Sequence, residues 1–146
     1  MTAVLQDDIG AFLIGYIRRE IRLPEMLAKY PVLEGFEVTN VEPDEDAGSF
    51  PEKLIVVRDD GTTPTELVTG ESDVGVSVLM GSPQLTADSS LAARVVHAIV
   101  RDCARVEAGN PVSYVGQSNG PYLVPEDQPR ARWYSTHTLS TVGESL

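Results

Sequence analysis

The apolar positions of this chain change period twice, and each change marks a different kind of element. Ile9, Phe12, Leu13, Tyr16 and Ile17 recur at the spacing of a single helical face. Asp7 and Asp8 lie where the positive end of a helix dipole favours carboxylates, and Arg18, Arg19 and Arg22 lie near its negative end. Together they predict a first helix over about 3–22. Pro24 either ends that pattern or opens a short second helical turn. Gly10 and Gly15 each weaken the helix by up to about 1 kcal/mol relative to alanine, and a tolerated pair of this kind permits close packing against another element.

From Phe36 the period falls to two. Phe36, Val38 and Val41 predict a strand, followed by an acidic loop at 43–51. Leu54, Ile55, Val56 and Val57 form a β-branched run closed by Asp59, Asp60 and Gly61, a strand meeting a turn. A further short strand is expected at 65–69. Val74, Val76, Val78 and Met80 then alternate with Gly75, Ser77 and Leu79, a strand with one strongly apolar face. The strands of this region thus fall between 36 and 80.

Ser82 and Pro83 suit a helix entry, serine as cap and proline in the first turn. Leu91, Val95, Ala98, Ile99 and Cys103 make a stripe that leaves Arg94, Arg101 and Asp102 largely outside it, which predicts a second helix over about 85–105. Gly109, Asn110 and Pro111 supply the stop. Val112, Tyr114 and Val115 open a strand over about 112–118, residues 116–120 read as a turn into Pro121, and the Trp, Tyr, Thr and Val residues of 131–142 predict a final strand.

The order is helix, several strands, helix, strands, with no repeat and no linker. Two helices cannot supply crossovers for five strands, so the expected architecture is a single α+β domain over 1–146. It has a mainly antiparallel sheet of about five strands with two main helices packed on one face. The other face and the edges remain open to neighbouring subunits.

Composition sharpens the picture. With 146 residues, 42% of them hydrophobic, the chain is long and apolar enough for a true core. Twenty-two acidic against eleven basic side chains give a net charge of −11, which repels phosphate backbones and argues against sequence-reading of nucleic acid. The same excess keeps a protein soluble until it meets a specific partner, and lets a polyanion pass an acidic wall without sticking. Cys103 is the sole cysteine, so no internal disulfide or thiolate cage is expected, and its apolar setting predicts a buried, inert thiol. No apolar run reaches membrane-spanning length and no basic segment precedes an apolar one near the start, so a cytosolic product is expected.

No residue pattern is arranged for chemistry. His97 and His137 are the only histidines and no third ligand is suggested, so no metal site is expected. His97 reads as a packing or surface residue and His137 as a polar residue on a sheet face. The carboxylates at 44–46, 59–60 and 126–127 read as solvated loops, since EF-hand spacing is lacking. Neither a Walker-type nor a dinucleotide-binding glycine loop occurs. No catalytic residue and no cofactor are therefore assigned. Arg130 and Arg132 point to one side of a strand, with Trp133 and Tyr134 after them and a proline-rich loop holding Tyr122 before them. Arginine and aromatics in such a setting are the composition of a protein–protein contact, although Trp133 serves equally as a core anchor. Tyr122, Arg130, Arg132 and Trp133 are the candidate subunit-interface residues.

One resemblance is specific. Residues 91–99, Arg101-Asp102-Cys103 and Gly109-Asn110-Pro111-Val112 are similar to the tail terminator (tail-completion) proteins of long-tailed actinobacteriophages. So are Gly120-Pro121-Tyr122, residues 125–132, the strand ending Val142-Gly143-Glu144, and residues 74–79. The similarity covers about 50–146, and the amino-terminal helix by layout only. It implies a non-enzymatic structural subunit of the virion, assembled in the host cytoplasm as a homohexameric ring at the head–tail junction. That ring caps the tail-tube protein, stops tube growth and meets the head–tail connector protein, while DNA passes through its lumen without sequence-specific binding. The rival readings are a head–tail connector or minor tail protein and, from another class, a small enzyme or regulatory ligand-binding module.

Overall fold

A computed structural model describes residues 3–43 and 51–146. The acidic cluster at 44–46 lies outside the described residues. The elements are β1 (Val4–Leu5), α1 (Ile9–Ile21), α2 (Pro24–Lys29), a 3-10 turn (Pro31–Leu33), β2 (Glu37–Thr39), β3 (Leu54–Pro64), β4 (Thr69–Met80), α3 (Ala87–Arg101), β5 (Val112–Val124), β6 (Ala131–Val142) and β7 (Glu144–Ser145). Five strands form one sheet in the order β2-β3-β4-β6-β5, antiparallel except for the parallel β2–β3 pair. The α+β class and the one-sided placement of the two main helices follow the expectation.

The sheet is built on β4. Val74, Val76, Val78 and Met80 project toward the helices, with Ile55 and Val57 of β3 in register beside Val78 and Val76, and Leu139 of β6, opposite Ser72, on the same face. The helices cover this surface with Ile9, Leu13, Tyr16, Ile17 and Ile21 from α1 and with Ala92, Ala93, Val96 and Val100 from α3, all buried. Two hydrogen bonds lock the layer. Tyr16 Oη donates to the Asp102 carbonyl at 3.0 Å, and Arg18 Nη2 donates to the Val38 carbonyl at 2.9 Å. Asn110 organises the passage from α3 to β5. Its Nδ2 donates to the Cys103 and Arg105 carbonyls and its Oδ1 accepts from Val112 N–H, each at 2.9 Å.

Several boundaries depart from expectation, each for a local reason. The first helix begins at Ile9 rather than near 3, because Asp8 caps it by accepting the Ala11 N–H at 2.9 Å. Val4 and Leu5 instead pair with Ser145 and Glu144 in a small second sheet. Pro24 takes the second of its two expected roles and opens α2. Ser82 and Pro83 do not start a helix. Ser82 bridges Leu85, whose N–H donates to the Ser82 carbonyl at 3.2 Å, so α3 begins at Ala87 and ends at Arg101 rather than 105.

The buried stripe of α3 runs through Ala92, Ala93, Val96 and Val100, with Val95 and Ile99 at its border, and Ala98 is exposed. β3 does not stop at Asp59 but continues past a register shift to Pro64, and 65–68 is the connection to β4 rather than a strand. The segment 116–121 is not a turn. It belongs to β5, which follows β6 to Val124 and absorbs its misfits at three register shifts. Of the two helical glycines, only Gly10 makes a close approach, since a Cβ there would meet Asp59 Cβ at 3.4 Å.

Leu13 is fully buried between α1 and the sheet. Leu13→Ala should therefore cost about 2–5 kcal/mol, read as a lowered thermal midpoint without loss of the folded baseline.

Candidate assembly surfaces

With both main helices on one side, no helix of the described residues covers the reverse face of the sheet. Parity along the strands puts Glu71, Asp73, Tyr114, Tyr122, Tyr134, Thr136, Thr138 and Ser140 there. Tyr122 is half exposed and meets Tyr134 edge to face, ring centroids 5.9 Å apart. Arg58 bonds the Tyr134 hydroxyl and forms an ion pair with Asp60 at 2.7 Å. Gly75 sits under the Tyr134 ring, leaving it room to lie against β4. A flat, hydroxyl-rich surface carrying partly exposed tyrosines suits protein contact, because tyrosine offers large area at low entropic cost.

The four sequence-derived candidates divide. Tyr122 lies half exposed on the reverse face. Trp133 does not, because it stands opposite Val78 on the helix-facing side, packs against the core and donates Nε1–H to Ser89 Oγ at 2.9 Å. Its core-anchor reading is the one the geometry carries. Arg130 is buried at 6% exposure and donates Nη1–H to the Pro51 carbonyl. Arg132 is held between Glu126, at 2.8 Å, and Glu42. The arginine pair is thus an internal clamp that ties two loops to the reverse face, where Leu54 and Leu79 are fully buried. Of the acidic clusters, Glu126 belongs to this clamp, while Asp59 accepts the Gly61 N–H and Asp60 pairs with Arg58.

The histidines meet in space, which nothing local in the sequence foretold. The rings of His97 and His137 lie 4.9 Å apart between α3 and β6. His137 Nδ1 contacts Ser118 Oγ at 2.8 Å and its Nε2 contacts Ser135 Oγ at 3.0 Å, while His97 Nδ1 is buried without a hydrogen-bond partner among the described residues. With both ring nitrogens of His137 held by hydroxyls, the cluster stitches β5 and β6 beneath α3. Burial, then the neighbouring His97 and Arg101, pushes His137 down to about 4, and burial followed by Arg101 lowers His97. Cys103 is the buried thiol expected, pushed up to about 11 mainly by burial. Among the described residues no group of three or more His, Cys, Asp or Glu could hold a metal ion, and no helix is long and apolar enough to cross a membrane.

A groove of about 380 Å³ opens between α2 and α3. Met26, Tyr30, Leu91, Val95, Ala98 and Ile99 line it, Arg94 stands on its rim, and at its end Arg105 bridges Glu20 and Asp102 at 2.7 and 2.8 Å.

No protein-family model and no curated protein matches this chain. Among solved structures it is similar to a chain of the "Virion of native gene transfer agent (GTA) particle" at a TM-score of 0.57 and 14% sequence identity. The match covers 94% of this chain and 100% of that one. At that identity the likeness is one of fold, extending over nearly the whole of both chains.

Two outcomes test these assignments. An unfolded histidine near 6.5 binds protons between pH 6.5 and 4 that folded His137 refuses, so folding stability is complete above that window and falls as pH drops through it. The loss should be on the order of 3 kcal/mol in urea titrations at pH 7.5 and 4.5, and His137→Gln should remove most of it, leaving the part due to His97. Arg132→Glu sets a carboxylate against Glu42 and Glu126 and should cost about 1–3 kcal/mol of stability in the isolated protein, where a mere contact residue would cost none.

Proposed function

We propose that this chain is a structural, non-enzymatic virion protein that forms a six-fold ring at the head–tail junction. The ring caps the tail tube, ends its polymerisation and joins it to the head-side connector. The observation that carries this reading is the fold likeness, over nearly the full length of both chains, to a component of a virion particle. The resemblance of residues 50–146 to tail terminators supports the finer role.

The physical character of the chain agrees. Its most distinctive clusters, the arginine clamp and the histidine–serine stitch, both secure loops and strands. The histidine–serine cluster is directed at structure, since neither nitrogen of His137 is left to act on a substrate. A closed ring needs two different complementary surfaces on each subunit, and this fold exposes a sheet face on one side and a helical groove on the other. A charge of −11 suits a passage that DNA traverses without adhering.

Electron microscopy and mass photometry of the purified protein, alone and with assembled tail tubes, test the reading. Six-membered annuli, or tubes closed at one end by a single added ring, are expected. A protein that stays monomeric at every concentration and leaves tube ends growing would overturn it.

A further inference from the structure

The net charge of −11 restricts how copies of this chain can meet, because each added subunit brings like charge. A self-contact must set the uncompensated cations of one copy against carboxylates of another. Seven of the eleven basic side chains already bind carbonyls or carboxylates of their own chain, as Arg58 binds Asp60 and Lys53 the Glu34 carbonyl. The remaining four are Arg22, Lys29, Arg94 and Arg101, all exposed, all at the helical layer, and none in an ion pair among the described residues. Arg94 and Arg101 flank Ala98 on the outer side of α3, and Arg94 rims the groove whose floor includes Met26, Leu91 and Ile99.

The complementary surface lies at the far end of the sheet. Residues 59–73, which form the end of β3, the connection and the start of β4, hold five carboxylates and no lysine or arginine. At the tip, Leu67 is 76% exposed next to Glu66. The tip is closed at its base by the Thr65 N–H donating to the Thr69 carbonyl at 3.0 Å and by a contact of the two threonine hydroxyls at 3.1 Å. An apolar knob beside an acid thus faces away from its own chain, while the groove is apolar along Met26, Leu91, Val95 and Ile99, has Arg94 at its rim, and keeps its carboxylates, Glu20 and Asp102, neutralised by Arg105 at one end.

Resting on the ring reading above, we propose that the β3–β4 tip of one copy seats Leu67 in the α2–α3 groove of the next, with Glu66 against Arg94. The contact joins two different surfaces, so it propagates head to tail and ends only when the ring closes. It also accounts for the position of the uncompensated arginines on an otherwise acidic molecule.

Cysteine trapping in the full chain tests this. Native Cys103 stays out of the reaction because its thiol is buried and pushed up to about 11. Under mild oxidation Leu67→Cys and Ala98→Cys should each form no covalent crosslink alone, give covalent dimers and nothing larger when mixed, and give a ladder ending at the ring when combined in one chain. As a second measurement, Glu66→Arg should raise the concentration needed for assembly by about tenfold or more, and Arg94→Glu in the same chain should restore it. If the wild type forms rings but the double-cysteine chain gives no ladder, or either single variant crosslinks to itself, the tip–groove contact is wrong and the ring reading survives. If neither rings nor ladder form at any concentration, with or without assembled tail tubes, both are wrong.

Discussion

The whole architecture follows from the need to cover one apolar sheet face with only two long helices. Val74, Val76, Val78 and Met80 line up on one side of β4, flanked by Ile55, Val57 and Leu139. Both α1 and α3 are consumed in covering them. Nothing comparable is left for the reverse face, which therefore carries threonines, serines, carboxylates and tyrosines at the alternate positions. Where that face does bury apolar side chains, at Leu54 and Leu79, loops rather than a second helical layer provide the cover, and arginines hold the loops down. A one-sided fold of this kind leaves hydrogen-bonding side chains at the alternate positions of its reverse face.

The edges follow the same logic. A long unpaired strand is a template for unwanted pairing, and β5 is thirteen residues long at the border of the sheet. Its three register shifts interrupt the repeat that another strand would need. Edge-to-edge sheet extension is thus discouraged along β5. At the opposite border the three-residue β2 pairs only with Leu54–Val56, and the rest of β3 has no strand partner on that side among the described residues.

Periodicity alone revealed much of this fold. The helical face of α1, the alternation in β4 and the presence of a helix before Gly109 all rest on spacings within a dozen residues, and such spacings survive folding. The errors concern interactions that reach across the chain. Val4 and Leu5 are strand because Glu144 and Ser145 lie beside them, and no local pattern contains that fact. Residues 116–121 look like a turn by composition, yet β6 supplies a ladder long enough to hold them extended. Arg130 and Arg132 have the spacing of one strand face, but the sequence does not say that Pro51 and Glu42 come to meet them. Trp133 was legible in principle, since the parity that sends Val78 inward also sends its register partner inward. The meeting of His97 and His137, forty positions apart, depends on how α3 crosses β6 and left no trace in spacing.

The same reasoning explains why fold likeness reaches further than sequence likeness here. What this architecture demands of a sequence is parity on β4 and β6, a helical stripe of small and branched residues on α3, a cap such as Asp8 and a stop such as Asn110. Cores accept many residue combinations when volume and pattern are kept, so these demands constrain classes of side chain far more than identities. Two chains can then share an arrangement from end to end at 14% identity.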